Sequence, residues 1–200
     1  MKEKIYDIIC GTGIKVMSSI FPEYFAKEPL RPTDRYIEYP FVLSKLPRVP
    51  AKILDVGCSG SMFPLLMQSL GHTVCGIDIR PYPLKDVFVK QGDICFNDFK
   101  SETFDVVTAV STIEHIGLKG RYGAIDSSSD YEAISQIFRI LKTGGTFLMT
   151  VPFGKYQETK FHRIYDKITL NTILAGFTWS YKIVQSPEAD YQLALIFAIK

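Results

Sequence analysis

The stretch KILDVGCSGS, Lys52 to Ser61, runs from an apolar segment into an acid and then into a run of small residues. KILDV fits a strand buried on both faces, and GCSGS has the composition of a tight turn into the helical segment FPLLMQSLG. Strand–turn–helix units of this kind build open parallel sheets, where ligands bind outside the carboxyl ends of the strands. Asp55, at the tip of the strand, therefore marks the place to look for a ligand.

The same alternation continues on both sides of that stretch. HTVCGID, a weaker VFVKQGD, FDVVTAV and GTFLMTVP read as strands. DYEAISQIFRILKTGG reads as a helix, with Ala133, Ile134, Ile137, Ile140 and Leu141 at helical spacing, Asp130 as N-cap and Gly144 as its stop. A helix around KITLNTILAG precedes the strands WSYKIVQ and YQLALIFAI, and the SPEAD turn between them is too short for a crossover helix. The expected fold is α/β: a doubly wound, mainly parallel seven-stranded sheet with an antiparallel last strand and helices on both faces. The proline-punctuated residues 1–50 are expected to form a helical extension or lid, with helices around Asp7 to Ile20 and Asp34 to Leu46, packed on an α/β core over 51–200 as one domain.

Composition excludes several classes. Hydrophobic residues make up 46% and charged residues 22%, as in a folded globular chain, and 23 basic against 21 acidic residues give +2, no bulk drive toward nucleic acid. No apolar run is long enough to span a bilayer, and Glu3 and Asp7 argue against a secretory signal. Cys10, Cys58, Cys75 and Cys95 have no metal-ligand spacing, so neither a disulfide framework nor a metal site is expected and the setting is read as cytoplasmic. SSSD, with Asp126 and Asp130, lacks the cadence of a calcium loop.

The loop after Asp55 is not a dinucleotide fingerprint, because Ser59 and Met62 stand where glycines are required, and it has no phosphate-loop lysine. Asp78, ending the next strand in GIDIR, can accept hydrogen bonds from both hydroxyls of a ribose, and Asp93 in QGDI could meet an adenine amino group. These features favour a nucleoside ligand that does not demand several phosphate contacts.

The order DVGCSGS, GIDI, GDI, FDVVTAVSTIEHI and FRILKTGGTFLMTVP resembles a class I S-adenosylmethionine-dependent methyltransferase, over roughly Lys52 to Pro152. The usual first motif of that Rossmann-like family, D-x-G-x-G-x-G, has glycines where Ser59 and Ser61 stand, with Gly60 between them. The resemblance implies S-adenosyl-L-methionine as methyl donor and S-adenosyl-L-homocysteine as product. It places Asp55 and Gly57 beneath the methionine moiety, with Asp55 orienting the ammonium and Ser59 and Gly60 lining the amino-acid end. Asp78 and Ile79 would hold the ribose, Asp93 and Ile94 would frame adenine, and Val110 and Ser111 would lie near the sulfonium.

Acceptor residues are expected after the fourth and fifth strands. Two roles fit His115 in EHIGLKGRYG: general base, or a ring that packs and orients the loop. In PFGKYQETKFHRIYD, His162 and Tyr165 are further candidate catalytic groups and Arg163 suits a polar or anionic acceptor, while Asp166 caps the next helix. Arg35 and Tyr39, on the segment that also carries Glu38, are candidate lid residues. Cys58 reads as filler and His72 as a surface residue. VSTIEH carries no N-P-P-[YF]-like motif, so the expected acceptor is a small molecule or saccharide-like compound methylated at oxygen, without nucleic-acid or membrane partners. Two alternatives stay open: a non-catalytic S-adenosylmethionine-binding protein and a nucleotide-dependent oxidoreductase.

Overall fold

The computed structural model describes Ser19 and residues 33–59, 61–82, 86–120 and 129–200. Asp34–Lys200 forms one compact unit, separate from Met1–Thr33. The expected helix around Asp7 to Ile20, Gly60 and residues 121–128 lie outside the described residues, apart from Ser19.

Helix α1 (Arg35–Lys45) is followed by β1 (Lys52–Val56), α2 (Phe63–Ser69), β2 (Thr73–Asp78), β3 (Phe88–Gln91) and β4 (Phe104–Val110). Then come α3 (Asp130–Ile140), β5 (Leu141–Phe153), the short strands β6 (Gln157–Glu158) and β7 (Arg163–Ile164), α4 (Lys167–Ile173), β8 (Thr178–Gln185) and β9 (Gln192–Ile199). The main sheet has seven strands in the order β3-β2-β1-β4-β5-β9-β8. Pairs among β3, β2, β1, β4 and β5 are parallel, and β9 runs antiparallel to both of its neighbours. The expected doubly wound sheet with an antiparallel last strand is present, and the order reverses between β1 and β4, where such sheets bind ligands.

Side chains alternate across the central strands and supply a core on each face. Leu54, Val56, Val107, Ala109, Phe147 and Met149 pack toward Ile134 and Ile137 of α3 and Leu170 of α4. Ile53, Val106 and Leu148 face the other way, with Val42 of α1 and Phe63 and Met67 of α2. Burying each such side chain contributes roughly 1.5–3 kcal/mol relative to leaving it in water. The edge strand β3 lacks this two-sided burial, which is why its segment reads weakly in the sequence.

Local chemistry corrects three expectations. Helix α3 stops at Ile140 rather than near Gly144, because Leu141 leaves the helix and pairs with Phe104. Gly144, at φ +75°, instead turns the chain within β5, a left-handed conformation that glycine adopts cheaply. The N-cap of α3 is Ser129, whose hydroxyl accepts from Glu132 N–H at 3.0 Å, while Asp130 is the first helical residue. His72 is buried, not a surface residue: its Nδ1 accepts the Ala51 N–H at 3.3 Å. Asp166 does cap α4, in a capping box with Thr169.

Candidate functional site

Asp55, next to last in β1, has its side chain on the α1 face of the sheet, beside Thr108 of β4. The Thr108 hydroxyl donates to Asp55 Oδ1 at 2.6 Å, and both residues are buried. Burial pushes the Asp55 carboxyl up to about 7, against the opposing pull of the Thr108 hydrogen bond and the Arg35 charge. Thr108 is a residue the sequence reading passed over, although a hydroxyl within the apolar run VVTAV signals a buried polar partner.

Gly57 follows at φ +77°, and a Cβ there would lie 2.3 Å from Thr112 Cγ2. The close approach that this glycine permits is therefore filled by Thr112, from the segment after β4, which locks the two turns of the cleft together. Cys58 is buried, and a Cβ on Gly76 would meet its Sγ at 2.5 Å. Burial pushes its thiol well up, which agrees with filler rather than a nucleophile.

Asp78, at the end of β2, binds the loop in this structure. Its Oδ2 accepts from Ser59 N–H at 2.7 Å, and its Oδ1 accepts from Arg80 N–H at 2.8 Å and Arg80 Nε at 3.3 Å. Arg80 Nη2 also donates to the Ser59 carbonyl at 2.8 Å. Ile79 follows with its carbonyl accepting from Gln91 Nε2 at 3.2 Å. Beyond β3, Asp93 caps a single 3₁₀ turn by accepting from Cys95 N–H at 2.8 Å, and Ile94 is buried beneath it. Asp55, Asp78 and Asp93 thus stand at or just beyond the ends of neighbouring strands, at one edge of the sheet.

Val110 is buried at the end of β4, and Ser111 beyond it takes φ +44°, a left-handed conformation rare for a residue with a side chain. Its N–H donates to the Thr150 carbonyl at 3.1 Å and to Thr150 Oγ1 at 3.0 Å. Its hydroxyl donates to Glu38 Oε1 at 2.5 Å, and Thr150 Oγ1 donates to the same oxygen at 2.6 Å. Glu38 comes from α1 and has no solvent exposure; Arg35, one helical turn away, is its ion-pair partner. Nothing local in DRYIEYPF marks Glu38 as buried, because its partners are on β5 and just beyond β4.

The lid candidates Arg35 and Tyr39 share this helix. Tyr39 stacks on Phe63 at 4.3 Å between ring centroids, and its hydroxyl lies 2.8 Å from Ser61 Oγ. Asp34 anchors the start of the helix by accepting from Ser186 Oγ at 2.7 Å and Tyr191 OH at 3.4 Å. Helix α1 therefore spans the carboxyl ends of the strands, bonded to the β8–β9 turn, to the tips of β4 and β5, and to the loop after β1.

On the acceptor side, β6 and β7 form a small antiparallel hairpin. Three hydrogen bonds tie it to the segment after β4: Gly120 N–H to Lys160 O at 2.8 Å, His115 Nδ1 to Phe161 O at 2.7 Å, and Arg163 Nη1 to Ile116 O at 2.7 Å. A carbonyl can only accept, so Nδ1 of His115 carries the proton and Nε2 has the lone pair when the ring is neutral. His162 sits beside Phe161 in the same turn, its ring 6.3 Å from that of Tyr191.

Arg163 and Tyr165 are held by protein partners. Arg163 is buried, donates from Nε to Glu158 at 2.7 Å and lies 3.6 Å from Asp130. Tyr165 is in the core with its hydroxyl donating to Asp130 Oδ2 at 2.9 Å, and burial raises its phenol well above the ordinary value. Both line a surface pocket of about 210 Å³ between α3 and α4, with Tyr131 and Tyr156.

Residues 88–195, just over half of the chain, match the family described as Caenorhabditis protein of unknown function, DUF268. The chain is 33% identical over 113 residues to a ubiquinone biosynthesis O-methyltransferase of Pseudomonas fluorescens, covering 50% of this chain and 44% of that one. It is 27% identical over 152 residues to the 18S rRNA (guanine-N(7))-methyltransferase bud23 of Schizosaccharomyces pombe, covering 72% of this chain and 54% of that one. The chain thus spans about half the length of the curated relatives it matches. Among solved structures, the 1,6-didemethyltoxoflavin-N1-methyltransferase of Burkholderia thailandensis superposes with TM-score 0.63 at 16% identity, covering 98% of this chain and 90% of the other. Phosphoethanolamine N-methyltransferase 2 of Haemonchus contortus gives TM-score 0.66 at 16% identity, covering 89% and 55%. The chain belongs to the DUF268 family, and its fold is the Rossmann-like fold of class I S-adenosylmethionine-dependent methyltransferases.

Proposed function

We propose that this protein is an S-adenosylmethionine-dependent methyltransferase acting at an oxygen of a small-molecule or saccharide-like acceptor. The observation that carries the reading is the pair of buried carboxylates, Asp55 and Asp78, at the ends of adjacent strands where the loop after β1 turns. Such an acceptor pair suits an ammonium and ribose hydroxyls, which donate, and it repels a pyrophosphate. That preference separates the site from a dinucleotide oxidoreductase.

When bound, S-adenosylmethionine supplies an electrophilic methyl group on sulfur. Asp55 orients the ammonium at the amino-acid end, which Ser59 and Gly60 line, and Thr112 fixes the turn at Gly57. Asp78 and Ile79 meet the ribose, whose hydroxyls take the place of the Arg80 guanidinium on the carboxylate. Asp93 and Ile94 frame the base, and Val110 and Ser111 border the reacting end. Helix α1, with Arg35 and Tyr39, excludes water, and aligning acceptor and methyl is the main source of rate.

A hydroxyl acceptor of high pKa needs a base, which a carboxylate acceptor would not, and His162 fills that role with His115 holding its turn through the Phe161 carbonyl. Tyr165 and Arg163 support the hairpin from beneath, so the acceptor is recognised mainly by its shape and hydroxyls. The ubiquinone biosynthesis O-methyltransferase relative and the near-zero net charge support this acceptor class, while the bud23 relative is an rRNA methyltransferase. The setting proposed is reducing and cytoplasmic; among the described residues Cys58, Cys75 and Cys95 are in no disulfide, and no described helix is long and apolar enough to cross a membrane.

Calorimetric titration with S-adenosylmethionine, S-adenosylhomocysteine and NADH tests the reading. Micromolar binding of the first two, weakened at least tenfold by Asp78→Asn, is the expected result. Binding of NADH alone, or of none of the three, would overturn it. Cofactor binding without turnover on any hydroxylated acceptor would point to a non-catalytic binding protein.

A further inference from the structure

Glu38 is a carboxylate with no solvent exposure on a helix that otherwise presents ordinary docking side chains. A buried carboxylate is costly unless donors surround it. Here Ser111 Oγ and Thr150 Oγ1 donate to one oxygen at 2.5 and 2.6 Å, and Arg35 pairs with the other. Ser111 is also where the backbone leaves β4 in a left-handed turn that is strained for a residue with a side chain. Such a turn persists only when its surroundings hold it, and three hydrogen bonds converge on it: two from its N–H to Thr150 and one from its hydroxyl to Glu38.

We infer that Glu38 is a positioning residue for the cofactor cleft, its carboxylate pinning Ser111 in the left-handed turn and tying helix α1 to that turn. The inference rests on the proposed cofactor site, since Ser111 borders the reacting end. It assigns Glu38 no contact with substrate and no proton transfer. Its consequence is that helix α1 and the end of β4 move together: displacing the helix removes the carboxylate and frees Ser111 to relax.

The test uses the full chain and S-adenosylhomocysteine as the titrant. Glu38→Asp keeps the charge but withdraws the carboxylate by one methylene, out of reach of both hydroxyls. Glu38→Gln loses the charge but retains an oxygen at the same reach. Pinning by geometry gives an affinity loss of about tenfold or more for Glu38→Asp and a smaller loss for Glu38→Gln, an order that a role resting on charge alone would reverse. Adding Ser111→Gly to Glu38→Asp recovers part of the affinity, because glycine takes a positive φ without strain; a purely structural defect would not be rescued this way. Equal losses without rescue, or affinity unchanged by both substitutions, overturn the inference. Should the unmodified protein bind no S-adenosylhomocysteine, the methyltransferase reading fails separately. Hydrogen exchange at the Ser111 amide then decides: a selective loss of protection in Glu38→Asp sustains the pin, and unchanged protection refutes it.

Discussion

The hydroxyl of Thr108 donates to Asp55 across 2.6 Å, wholly inside the protein, joining the strands on either side of the point where the sheet order reverses. Burial raises the Asp55 carboxyl and the Thr108 hydrogen bond opposes that rise, and the net upward shift gives the site a measurable response to pH.

Stability should fall as pH rises from about 4 to about 7 and level off above that. The folded state keeps a proton on Asp55 up to about 7 that the unfolded chain releases near 3.8, so in this window the folded state binds more protons. The change is of order 1–4 kcal/mol. Urea unfolding at pH 5, 6 and 8 measures it, and Asp55→Asn should flatten the profile. A stability that rises with pH across this window in the unmodified protein, and not in Asp55→Asn, would contradict the assignment.

Cofactor binding should release a proton near pH 6.5. An ammonium placed beside Asp55 favours the ionised carboxylate, so affinity should increase as pH rises through about 7. Calorimetry in two buffers of different ionisation enthalpy reads the proton directly. Identical observed heats after correction for cofactor ionisation would mean that Asp55 does not meet the ammonium.

Gly57→Ala should cost about 2–4 kcal/mol of stability and abolish measurable S-adenosylhomocysteine binding. The substitution combines a backbone at φ +77° with a methyl group 2.3 Å from Thr112 Cγ2. Thermal unfolding and titration of the same sample give both quantities.

Arg163→Met should lower stability by about 2–4 kcal/mol. It leaves the Ile116 carbonyl and the Glu158 and Asp130 carboxylates without the guanidinium that joins them, and it loosens the hairpin from the segment after β4. Protease sensitivity at 155–165 should rise with it. A variant as stable as the unmodified protein would return Arg163 to acceptor recognition.

With an acceptor in hand, His162→Ala should reduce turnover by about 10²–10⁴ with cofactor affinity retained. His115→Ala should act less strongly on turnover and should also lower the melting temperature, because it removes the bond to the Phe161 carbonyl. Full turnover in His162→Ala would exclude it as the base.

Much of the architecture is legible in the sequence because it rests on local pattern. The near-continuous apolar runs of β1, β4 and β5 mark strands buried on both faces, and the acids Asp55 and Asp78 stand toward the ends of β1 and β2. The one long helix placed too far, over Leu141 to Gly144, failed because helical spacing continued through Leu141 while a non-local pairing with Phe104 claimed that residue for the sheet.

The sequence by itself determined the seven main-sheet strands and their order along the chain, the position of the small-residue loop and the two acids toward the strand tips, but not the β6–β7 hairpin. Only the tertiary structure decided which polar groups meet. Thr108 faces Asp55, Thr150 and Ser111 face Glu38, Thr112 fills the space over Gly57, and Arg163 is consumed by Glu158 and Ile116. The physical reason is range: periodicity along the chain fixes which face a side chain takes. Its partner across the sheet or beneath a helix is set by register and docking between segments far apart in sequence.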